Sequence, residues 1–81
     1  MTIEDYEKMG FDDEQIQIIR IGIRKGVDVS IYAKKCFSGT QMMNIYLGLK
    51  DGLDVSSYAD PNKSIVEMEV IRKELLSKSK R

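Results

Sequence analysis

Residues 26–33 read GVDVSIYA, and residues 52–59 read GLDVSSYA. The same offset of 26 relates Phe11 to Phe37, Gln15 to Gln41, Ile19 to Ile45 and Gly22 to Gly48. Between residues 11–36 and 37–62, 10 of 26 aligned positions are identical, so both stretches answer to one structural demand. A period of this size marks one supersecondary unit that cannot bury its apolar face alone and stacks on copies of itself. With 81 residues, such units fill a single small domain and leave no room for a second.

Each unit opens a long helix with the same starting device. Ser38 and Gln41 have the spacing of a capping box, and Phe37 and Met42 occupy the two positions of a hydrophobic staple. Asp12 and Gln15 repeat the box between Phe11 and Ile16, and Ser64 with Glu67 gives a third copy in which Lys63 replaces the aromatic residue. Apolar residues then follow at helical spacing: Ile16, Ile19 and Ile23, then Met42, Ile45 and Leu49, then Met68, Ile71 and Leu75. This spacing predicts one buried stripe per helix. Gly26 and Gly52 fall where a left-handed residue ends a helix at low cost. Gly22 and Gly48 lie inside their helices, each costing about 1 kcal/mol relative to alanine. Their recurrence predicts the close approach of a neighbouring backbone.

Between the long helices, residues 28–33 and 54–59 read as short capped turns, with Asp28 and Asp54 as caps and Val29, Tyr32, Val55 and Tyr58 as an apolar face. One further shift of the frame places Thr2, Ile3 and Tyr6 at the equivalent positions and predicts a first short helix over residues 2–8. The fold class expected is all-α: three alternating short and long helices stacked as one domain over residues 1–76. Its units run roughly over 2–25, 28–51 and 54–76, and a basic, fraying tail occupies 77–81. Tyr6, Phe11, Val29, Tyr32, Phe37, Val55 and Tyr58 join the three helical stripes in the expected core. The third unit departs from the pattern, with Glu74 in place of the internal glycine and no terminal glycine, as end units of stacked arrays do.

The 13 basic and 13 acidic side chains cancel, which removes the general electrostatic basis for nucleic-acid or membrane binding. Locally, residues 1–14 sum to −5 and residues 61–81 to +3, the sense that helix dipoles favour at first and last turns. A lone cysteine, Cys36, forms no internal disulfide and suits a reducing compartment. The acidic, polar N-terminus is unlike a signal peptide, and no apolar run approaches ~18 residues, so a cytoplasmic location is expected. Histidine is absent, and a single cysteine cannot build the usual zinc spacings. The glycines fall at helix-repeat positions rather than in a phosphate loop. No enzyme, cofactor or metal site is expected.

The elements GxDVSxYA, at Gly26–Ala33 and again at Gly52–Ala59, and FxxxQMxxIxxGLxxG, at Phe37–Gly52, resemble short tandem helical repeats found in proteins of gut-type Firmicutes and of their phages and mobile elements. The chain keeps Tyr58-Ala59-Asp60-Pro61 of that pattern but has Asn62 and Lys63 where an aromatic residue usually follows. The resemblance covers roughly residues 6–75 and implies a helical-repeat fold and a phage or mobile-element provenance, with no catalytic residues to carry over. A second, shorter resemblance joins Met9, Gly10 and Phe11 to the Met-Gly-Phe loop of ubiquitin-associated domains, and implies ubiquitin binding through those three residues.

The expected function is a non-enzymatic protein-interaction module, an adaptor or an inhibitor of a host protein, with an unidentified protein partner. In stacked arrays, side chains that vary between units are free to specify a partner. Gln17, Met43 and Glu69 share one repeat position and Arg20, Tyr46 and Arg72 another, each with changing chemistry. These six are the candidate partner-binding residues, with Met43 and Tyr46 as an apolar contact pair. The alternative is a nucleic-acid-binding or regulatory domain using Arg20, Arg24, Lys25, Lys34, Lys35 and the basic tail. Charged ends alone hold chains together weakly, so a monomer is expected.

Overall fold

The structure is a computed structural model and describes residues 2–79. Its order is α1 (Ile3–Lys8), α2 (Asp13–Lys25), α3 (Gly39–Lys50) and α4 (Ile65–Ser79), with single 3₁₀ turns at Val29–Ile31 and Val55–Ser57. The array is all-helical, and no strand occurs among the described residues. The second and third short elements are thus single turns, and only the first is an α-helix. Each helix packs on the next in sequence, α1 on α2, α2 on α3 and α3 on α4. The extents of 40 × 25 × 16 Å describe a slab, the shape that results when units are added side by side.

All three long helices start as the capping boxes dictate. Asp12 accepts from the Gln15 backbone at 2.8 Å while Gln15 Oε1 accepts from the Asp12 backbone at 2.9 Å. Ser38 with Gln41 repeats this at 3.2 and 2.9 Å, and Ser64 with Glu67 at 3.1 and 3.0 Å. Gly26 and Gly52 take φ of 76° and 75°, and behind them the Val27 and Leu53 N–H groups donate to the carbonyls of Gly22 and Gly48. That closes the helix ends in the Schellman manner. With no such glycine in its path, α4 continues through Ser77–Ser79, the first residues of the polar tail. Lys80 and Arg81 of that tail lie outside the described residues.

Ile19, Tyr32, Met42, Ile45, Tyr58 and Met68 are fully enclosed and form the spine of the core. The later residues of each apolar stripe are less enclosed than the first two of α2 and α3 and the first of α4. Leu49, Ile71 and Leu75 are half-buried, and Ile23, expected inside, is 39% exposed. Ile18 and Tyr46 are buried in addition, because a helix stacked on both sides needs a wider apolar surface than one stripe provides.

The internal glycines answer to side chains, not to the neighbouring backbone that their recurrence suggests. A Cβ on Gly22 would lie 2.5 Å from Val29 Cγ1 and would collide with Tyr32 Oη. On Gly48 it would lie 2.7 Å from Val55 Cγ1 and collide with Tyr58 Oη. Through these gaps Tyr32 donates to the Ile18 carbonyl at 2.7 Å and Tyr58 to the Asn44 carbonyl at 2.8 Å. Each short turn is thereby pinned to the long helix before it.

Candidate functional site

The joint between units rests on the capping glutamines. Gln15 spends its Oε1 on its own helix cap, and its Nε2 donates to the Phe37 carbonyl, one residue before the next cap, at 2.7 Å. Gln41 does the same toward the carbonyls of Pro61 and Lys63, at 3.0 and 2.9 Å. The third unit has Glu67 at this position. Its Oε1 completes the cap, and its second oxygen takes the place of the donating nitrogen. The Ser64 backbone N–H, with the Ser64 hydroxyl, holds this carboxyl below its usual range, so it is charged at neutral pH.

Of the six candidate partner-binding residues, Arg20 is exposed, whereas Tyr46 and Arg72 are wholly or partly buried. Arg20 pairs with Glu7 of α1 at 3.3 Å. Arg72 is half-buried, and its Nε donates to Asn44 Oδ1 of α3 at 3.4 Å. Tyr46 is only 5% exposed and belongs to the core. Arg20 and Arg72 thus reach back to the preceding helix. Met43 is half-buried against the core, so it and Tyr46 do not make an apolar contact pair open to a partner. Gln17 is exposed, and Glu69 is tied to Lys73 within α4 at 3.0 Å. The lysine bond draws the Glu69 carboxyl below its usual range.

The apolar surface that is open lies elsewhere, on α4. Val66 is 72% exposed, Val70 50% and Ile65 42%. The repeat register marks Val70, because its equivalents Ile18 and Asn44 are both buried. The equivalent of the clamping glutamines is Glu67, and that of the tyrosine-receiving glycines is Glu74. On α4, then, the face that α2 and α3 turn toward their successors is built from Glu67, Val70 and Glu74, and no described residue closes over Val70. Comparison of variable positions in the sequence misses this face, because it does not ask which side of the unit each position occupies.

Other candidate features have structural tasks. Asp28 and Asp54 cap the 3₁₀ turns through the Ser30 and Ser56 backbones, both at 3.1 Å. In the Met9-Gly10-Phe11 loop, Phe11 is buried beside Tyr6 with ring centroids 6.3 Å apart, which leaves Met9 as the exposed apolar side chain. Among the described residues no cavity opens, no three metal-binding side chains gather, and no helix is long and apolar enough to cross a membrane. No protein-family model matches the chain, and no curated protein or solved structure is significantly similar to it.

Proposed function

We propose that this chain is a non-enzymatic protein-binding array, encoded by a phage or mobile element and directed at a host protein in the cytoplasm. The observation that carries the reading is the open apolar face of α4, where Val66 and Val70 stand one turn apart on a helix packed against α3. Exposed apolar side chains grouped on one element, rather than scattered singly, mark an interaction surface. Provenance and host rest on the resemblance of the repeat units. The test is affinity capture from a Firmicutes host extract with the full chain, followed by calorimetry of the recovered protein in purified form. A saturable complex with one host protein is expected. Recovery of nucleic acid alone, in a complex that dissolves as salt rises, would overturn the reading in favour of the nucleic-acid alternative.

A further inference from the structure

We propose that the α4 face built from Val66, Glu67, Val70 and Glu74 seats a basic amphipathic helix of the partner protein, where a succeeding unit would otherwise stack. The proposal deepens the protein-binding reading and rests on it. In the first two units this seat is made for an incoming carbonyl: Gln15 and Gln41 each offer an N–H to the residue before the next cap. Glu67 in the same pose offers only an acceptor. The seat is also made for a tyrosine, which enters over Gly22 and Gly48 and donates to the helix carbonyl. Glu74 closes that entry and adds a second carboxylate. What α4 presents is therefore an apolar centre with acceptors on either side, and its complement is an apolar centre with donors on either side.

The spacing defines the complement further. Glu67 and Glu74 are seven residues apart, about 10.5 Å along a helix. Lysine or arginine residues at i and i+7 of an incoming helix, with a leucine-like residue between them, span the same distance. The cations already near the seat do not supply this role. Lys73 is engaged by Glu69, and among the described residues neither Glu67 nor Glu74 forms an ion pair with a cation of this chain. A second copy of this chain fits poorly, because the short helix it would bring, α1, carries Glu4 and Asp5. Its Tyr6, the counterpart of Tyr32 and Tyr58, is already buried in its own chain. Charge-assisted hydrogen bonds around an apolar contact select a helical partner by its sign as well as its shape.

The test is a titration of the ¹⁵N-labelled full chain with a capped helical peptide of about four turns. The peptide carries two lysines seven residues apart around a leucine pair, and its twin has glutamates in place of the lysines. Saturable amide shifts confined to α4 are expected for the lysine peptide and none for the twin. The double variant Glu67→Gln, Glu74→Gln keeps the cap acceptor and removes both charges. It is expected to bind the lysine peptide at least about tenfold more weakly, close to 1.4 kcal/mol, with an unchanged thermal melt. Shifts centred on the acidic residues 4–14, equal binding of the twin, or no shifts at millimolar peptide would overturn the proposal. The captured host protein separates the two readings. Equal retention by the native chain and the double variant overturns this seat and leaves protein binding standing, whereas failure of any host protein to bind overturns both.

Discussion

At the scale of single residues, two tyrosine hydroxyls decide what is allowed opposite them. In an ordinary helix Gly→Ala stabilises by about 1 kcal/mol. At Gly48 the added methyl meets Tyr58 Oη and Val55 Cγ1, so overpacking of about 1–3 kcal/mol and a lost hydrogen bond of about 0.5–1.5 kcal/mol outweigh that gain. Gly48→Ala is expected to lower the urea midpoint at an unchanged m-value, and a raised midpoint would show that the gap is not filled as described. The same hydroxyls make the fold sensitive to alkali. Burial pushes the Tyr58 phenol up to about 12 and raises Tyr32 as well. The folded chain keeps protons that the unfolded chain releases near pH 10. Stability is therefore complete below pH 10 and declines from pH 10 toward 12. Tyr58→Phe is expected to be less stable at pH 7 but to show a shallower alkaline decline, read from melts across that range. The recurrence of glycine makes a close approach legible, but a period cannot reveal which atom approaches. Tyr32 and Tyr58 are readable as packing residues only, because a hydrogen bond across 14 residues leaves no local signature.

At the scale of elements, the helix starts are fully legible, since a capping box is written within four consecutive residues. The other half of each glutamine is not. Its Nε2 bond spans 22 residues, and local spacing carries no trace of it. This double use gives a sharp prediction. Gln15→Glu keeps the acceptor for the Asp12 backbone but sets a carboxylate against the buried Phe37 carbonyl. Losing a buried partner costs about 1–3 kcal/mol, and more when charge is left behind. The introduced carboxyl should hold its proton more tightly in the folded chain than its unfolded value of about 4.3. The loss is then expected to be small below pH 4 and to grow as pH rises through the folded value. Melts of Gln15→Glu at pH 3.5 and pH 7 check this, and a pH-independent loss would mean that Nε2 does not bridge the units. Nothing in the sequence after Leu76 stops a helix, and α4 accordingly runs to Ser79, whose Oγ donates back to the Leu76 carbonyl at 2.9 Å.

At the scale of the molecule, stacking order and all-helical class follow from the period, whereas the candidate surface does not. Position 20 and its equivalents look free because their chemistry changes, but Arg20 and Arg72 reach back to the helix before them and Tyr46 is buried in the core. The opposite signs of the terminal segments suggest weak end-to-end attraction. The seat itself reverses that view, since Glu67 and Glu74 would confront Glu4 and Asp5 of a second chain. A monomer is expected in sedimentation velocity at both low and high salt, and a salt-insensitive dimer would show that Val66 and Val70 pair with themselves. The glutamine joint has one more consequence. Its donor lies on one side and its acceptor on the other, so the units behave like railway couplings, hook at one end and eye at the other. A spare copy of residues 37–62 spliced after Asn62 would find an eye ahead and a hook behind. It should lengthen the slab by about one helix spacing, 8–10 Å, in small-angle scattering. The segment from Lys63 onward, moved to the middle of the train, would receive the hook of the unit before it and offer none to the unit after.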